Sequence, residues 1–109
     1  MEWKELTEQS QLEQLKTQSD EQPVLIFKHS TRCSISRFAL KQFENEFDLQ
    51  DKIAPYFLDL LNHRDISNEI ALQFNVQHQS PQLLLLKNRV VVYHTSHENI
   101  DANELKKYL

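Results

Sequence analysis

The chain has 109 residues, 39% apolar and 26% charged, with 12 Lys and Arg against 16 Asp and Glu. A chain of this length and composition forms one domain with a real core, and its net charge of −4 speaks against a nucleic-acid or membrane-surface partner. With no glycine and a single cysteine, glycine-rich phosphate loops are excluded, turns with positive φ fall to Asn or Asp, and any disulfide is made with another molecule.

The opening "MEWKELTEQSQ" has no apolar core of a signal peptide, and no window approaches the roughly 20 apolar residues of a membrane span. A lone cysteine fits a reducing compartment, so a cytoplasmic location is expected. From residue 7 to 19 the spacing predicts a polar helix with Leu12 and Leu15 on its inner side and Leu6 just before it; Trp3 reads as packing. Val24 to Phe27, behind Pro23, read as a strand buried on both faces.

Residues 33 to 47 place Ile35, Phe38, Ala39, Phe43 and Phe47 at near-helical spacing, which predicts an amphipathic helix with those five facing inward. "IAPYFLDL" reads as a second strand, with Pro55 favouring an edge. "HRDISNEIALQFN" reads as a helix capped by Asp65, with Ile66, Ile70 and Phe74 inward. Leu83 to Leu86 form another fully apolar strand, and "KNR" turns it into "VVVYHT", with Asn88 expected at positive φ. The last helix starts at Asp101, with Glu104 completing a capping box and Ile100 and Leu105 forming a hydrophobic staple.

The order is a helix, then β-α-β-α-β-β-α. Strands joined by a helix run parallel and strands joined by a tight turn run antiparallel. The pattern is that of an α/β, thioredoxin-like fold: a single domain over 1–109, with a four-stranded mixed sheet flanked by helices and an extra N-terminal helix.

Cys33 lies where a central strand ends and a helix begins, among Ser30, Thr31, Arg32, Ser34 and Ser36 rather than in an apolar stripe. The free N–H groups and the positive dipole end of a helix start favour an anion, so the position suits a thiolate nucleophile. Arg37, four residues on, falls on the same helix side, and Ser36 is placed to donate its hydroxyl to the sulfur. Lys28, Arg32 and Arg37 bracket Cys33 with positive charge. Pro81 opens a central strand, which a proline tolerates at the limit of pairing. The five histidines form no ordered ligand set with a second cysteine, so no metal is expected, and His78 reads as a surface-loop residue.

"KHSTRCSIS" followed by "SPQLLLLKN" resembles the monothiol bacilliredoxins, the YtxJ-like family of thioredoxin-fold proteins, over essentially the whole chain. Lys28, His29, Ser30, Thr31, Cys33, Ile35 and Ser36 match that family's motif, and Ser34 stands where it usually has proline. A serine there loosens the first helical turn and alters solvation of the sulfur.

The resemblance implies an oxidoreductase with Cys33 and Ser36 catalytic. It also implies a cis-proline loop beside the cysteine, carried onto Ser80 and Pro81; these two, with Arg32, Ser34 and Arg37 from their positions around the thiol, are the thiolate-stabilising or substrate-binding candidates. Its partners would be S-bacillithiolated client proteins, with bacillithiol as co-substrate and no tightly bound cofactor. An iron–sulfur carrier of the monothiol glutaredoxin type would need a Cys-Gly-Phe-Ser site, which a chain without glycine lacks. A non-catalytic interaction protein of the same fold, with Cys33 inert, is the reading from another class.

Overall fold

The computed structural model describes residues 1–109. Its elements, in chain order, are β1 (Lys4–Glu5), α1 (Ser10–Ser19), β2 (Val24–His29), α2 (Ser34–Glu46), β3 (Ala54–Asp59), α3 (Arg64–Phe74), β4 (Gln82–Lys87) and β5 (Val90–Ser96). A single 3₁₀ turn, His97–Asn99, and a 3₁₀ helix, Ala102–Tyr108, complete the chain. One mixed sheet takes the order β1-β3-β2-β4-β5. β2 runs parallel to β3, with Ile26 opposite Tyr56, and antiparallel to β4, with Ile26 opposite Leu84. The thioredoxin-like architecture follows, with the two most apolar strands at its centre.

Every residue of β2 is buried, because the sheet is covered on both faces. Val24 and Ile26 pack with Leu12, Leu15, Ile66 and Ile70 in one core layer. Leu25 and Phe27 pack with Ala39, Phe43 and Leu105 in the other. Trp3 joins the second layer, its ring centroid 5.9 Å from that of Phe27 and 6.0 Å from that of Phe43, while its indole N–H donates to Glu44 at 2.7 Å. An indole buried to this extent keeps its N–H only with such a partner.

The sheet has five strands rather than four. β1 is two residues long and pairs with β3 only from Tyr56 onward, too short to leave a period in the sequence. It covers the edge that Pro55 was expected to need, yet Pro55 stays compatible. The Ala54 N–H donates to the Pro23 carbonyl, so the Pro55 nitrogen is turned away from β2, toward the stretch that β1 leaves open.

α2 differs from expectation in its faces. Ala39 and Phe43 are buried, but Ile35 and Phe38 are 57% and 71% exposed. Five apolar residues over these positions span too wide an arc for one sheet to cover, and the sheet takes the 39–43 side together with Ser36.

At α3 the cap is His63, and Asp65 lies inside the first turn, where its charge still complements the helix dipole. The final segment is a 3₁₀ rather than an α-helix. Asp101 accepts from the Asn103 N–H instead of reaching Glu104, and the Glu104 carboxylate pairs with Lys107 at 2.7 Å, so the capping box does not close.

Positive φ is carried by Asn75, Asn88, Arg89 and His97. Asn88 matches expectation. Arg89 beside it completes a turn with positive φ at both central positions, the geometry that suits the twist of a two-residue hairpin. α1 holds that turn: the Asn88 and Arg89 N–H groups donate to the Ser19 carbonyl and hydroxyl, and the Arg89 guanidinium pairs with Asp20 at 2.9 Å.

Candidate active site

Cys33 is the N-terminal cap residue of α2, in extended conformation (φ −102°, ψ 122°), with its own N–H bonded to the Ser30 carbonyl. Its carbonyl accepts from the Arg37 N–H at 3.0 Å, so the chain is already helical one residue past the sulfur. No side chain caps the helix. The N–H groups of Ser34, Ile35 and Ser36 therefore have no intrahelical acceptor and remain available to an anion at the thiol. The thiol is free and partly exposed, and no hydrogen bond reaches Sγ.

Ser36 lies near this turn, but its hydroxyl is used elsewhere. It is fully buried, accepts from the Ser30 N–H at 3.0 Å, and sits 2.7 Å from Nδ1 of His29. One oxygen thus holds both the backbone at the end of β2 and the imidazole of His29. The expected donation to the thiol is replaced by a brace between the end of β2 and the first turn of α2.

His29 is buried with its ring against Phe57. Burial pushes its pKa below the ordinary histidine value; Asp59 and Glu44 oppose this and the nearby Arg37 adds to it. The Arg37 charge thus acts on the same turn as the sulfur.

Arg32, Ser34 and Arg37 are exposed, and neither guanidinium is in an ion pair. Lys28 does not join them. It is fully buried on the other face of β2, and its ammonium donates to the Ser67 carbonyl at 3.1 Å and lies 3.3 Å from Nδ1 of His78. Burial lowers its pKa to about 8. The Ser67 hydroxyl lies at the same 3.3 Å from Nδ1 of His78, so lysine, serine and imidazole form one small network. Burial, then Lys28 and Arg64, push the His78 pKa down, which favours the neutral imidazole. His78 is therefore a half-buried partner of Lys28 and not a surface-loop residue. The sequence signal for this network was a lysine ending an otherwise apolar strand.

β2 ends at His29 and β4 begins at Gln82, opposite Lys28, so Cys33 and Pro81 follow and precede adjacent strands at the same end of the sheet. The Ser80–Pro81 bond is cis. Pro81 is buried, and its carbonyl accepts from the His97 N–H at 3.0 Å. The Ser80 hydroxyl is buried with no partner in the protein. The strand end thus carries one thiol at an uncapped helix start, two unpaired guanidinium groups and an unpartnered hydroxyl.

A solved structure described as a candidate oxidoreductase with a thioredoxin fold is 33% identical over 94% of this chain and 89% of that one, with a TM-score of 0.80. The thioredoxins of Malassezia sympodialis (17% identity, 98% and 87% of the two chains, TM-score 0.75) and Trypanosoma brucei brucei (11%, 97% and 86%, TM-score 0.76) share the fold. The family model described as monothiol bacilliredoxin BrxC matches residues 4–105. With its one cysteine at the helix start and a cis-proline just before the neighbouring strand, this thioredoxin-fold chain belongs to the monothiol bacilliredoxin family of thiol redox proteins.

Proposed function

We propose that the protein removes bacillithiol from S-bacillithiolated client proteins through Cys33. One observation supports this above the others: the only thiol of the chain caps α2, beside first-turn N–H groups that no side chain occupies. In the first step the Cys33 thiolate attacks the bacillithiol sulfur of the mixed disulfide. A new disulfide forms between Cys33 and bacillithiol, the old bond breaks, and the client leaves as a thiolate that takes a proton from solvent. No second cysteine can resolve this intermediate. A second bacillithiol thiolate attacks it, releasing bacillithiol disulfide and restoring Cys33. The reducing equivalent comes from the second bacillithiol, which is oxidised as it joins the first in the released disulfide, so bacillithiol is co-substrate and no bound cofactor is needed.

In this scheme Arg32 and Arg37 receive anionic groups of the small thiol. The Ser34 N–H solvates the sulfur, and Ser80 and Pro81 form the wall of the site on the neighbouring strand end. Ser36 contributes by bracing the turn. The test is a purified client carrying bacillithiol. Wild-type protein should free the client thiol and gain one bacillithiol by mass spectrometry, and Cys33→Ser should do neither. Removal at the wild-type rate by Cys33→Ser would defeat the scheme.

A further inference from the structure

We propose that the exposed stripe of α2 made by Ile35, Phe38, Gln42 and Asn45, with Lys41 beside it, is the docking surface for the client chain, and that it selects an extended segment with an apolar and an acidic residue next to the modified cysteine. This rests on the reading that Cys33 exchanges with a client mixed disulfide.

The four residues recur at a spacing of three or four, so they form one line on the helix. It begins two residues after the nucleophile and extends roughly 15 Å at 1.5 Å per residue, which four or five residues of extended chain would cover. Ile35 and Phe38 are 57% and 71% exposed, and Phe38, Lys41, Gln42 and Asn45 line a shallow groove of about 370 Å³. The chain carries a net −4, yet this end of α2 is basic: Arg32, Arg37 and Lys41 are exposed and none is in an ion pair. The carboxylates of the same helix lie toward its C-terminal end, Glu44 turned to the Trp3 indole and Glu46 beside the Gln42 amide, so the positive charge is concentrated in the turns next to Cys33.

The position of Cys33 decides the occupant. The stripe starts two residues after Cys33, so a client bonded there can lay the residues on one side of its cysteine over the first turns of α2. Apolar side chains meet Ile35 and Phe38, a carboxylate meets Lys41, and the Gln42 and Asn45 amides face the client backbone. A second copy fits less well. A symmetric contact of α2 with itself would bring the same unpaired basic residues together.

The experiment compares two substrates on the full chain. One is a peptide of about ten residues with bacillithiol on its cysteine, followed by leucine and aspartate. The other is symmetric bacillithiol disulfide, whose transfer to Cys33 is followed by mass spectrometry. Phe38→Ser and Lys41→Glu should each lower kcat/KM on the peptide about tenfold, the size of one good interface contact. Transfer from the small disulfide should change less than about twofold, which also shows that the variants are folded. Lys41→Glu should regain activity on a peptide carrying lysine in place of aspartate.

An equal loss on both substrates, or no loss on the peptide, overturns the proposal. So does a wild-type dimer in sedimentation that Phe38→Ser converts to monomer, since the face would then be a self-contact. If wild-type Cys33 exchanges with neither disulfide, the catalytic reading fails and the docking surface falls with it.

Discussion

A fully buried lysine five residues before the nucleophile carries a cost that pH can expose. The Lys28 pKa falls to about 8 in the folded protein from the model-peptide 10.5. Between those limits the unfolded chain binds the proton that the folded chain has shed, so stability rises with pH across that window. Below about 8 both states hold the proton and the penalty is complete, on the order of 3 kcal/mol. Denaturant unfolding at several pH values from about 8 to 10 should show this rise, and Lys28→Met should abolish it; an unchanged slope in the variant would refute the assignment. Ser36 predicts a cost of a different kind. Ser36→Ala leaves the Ser30 N–H and Nδ1 of His29 without their buried partner, so unfolding free energy should drop by about 1–3 kcal/mol. No loss would mean that water replaces the brace. Sequence reasoning found Ser36 because it follows the cysteine at a familiar spacing, but spacing says only that two residues share a turn. Which partner a buried hydroxyl takes depends on the strand beneath it, here through His29, and that neighbour comes from tertiary packing.

At the scale of elements, strand order and direction were legible because they follow from buried-strand composition and connection type. The doubly apolar runs ending at Phe27 and Leu86 could only be central, and the two-residue turn at Asn88 and Arg89 could only return antiparallel. The faces of α2 were not legible, since helical spacing cannot say how wide an arc the sheet will cover. Ile35 and Phe38 stayed outside for that reason, and the exposed stripe that follows is where the docking proposal arises. The 3₁₀ ending was hidden for a related reason: the capping box was present in the sequence, but Lys107 competed for Glu104. Backbone conformation without glycine gives an element-level prediction. Asn75 ends α3 at φ 53° and ψ 46°, and the chain then leads toward His78 and Pro81. Asn75→Ala should destabilise the protein by roughly 1 kcal/mol, because a Cβ without a local hydrogen-bonding side chain is strained in the left-handed region; Asn75→Gly should not. Equal melting of the two variants would show that the helix end relaxes instead.

Over the whole molecule, net charge and site charge have opposite signs, and their relative weight with an anionic substrate depends on distance. The protein measures 34 × 29 × 23 Å, so acidic groups on its far side lie well beyond the Debye length of about 10 Å at 0.1 M salt. Arg32 and Arg37 lie within one helical turn of the nucleophile and have no carboxylate partner to cancel them. At moderate ionic strength an approaching anion therefore experiences mainly the local positive field. If the small thiol disulfide carries carboxylates, its transfer to Cys33 should slow a few-fold as salt rises from about 0.05 to 0.5 M, since added ions screen that attraction. The double variant Arg32→Gln/Arg37→Gln should start slower and lose the salt dependence. An uncharged disulfide should be nearly indifferent to salt with either protein. Stopped-flow transfer rates at four or so salt concentrations separate the cases. A wild-type rate that climbs with salt would mean that the acidic bulk, not the two arginines, governs approach to the thiol.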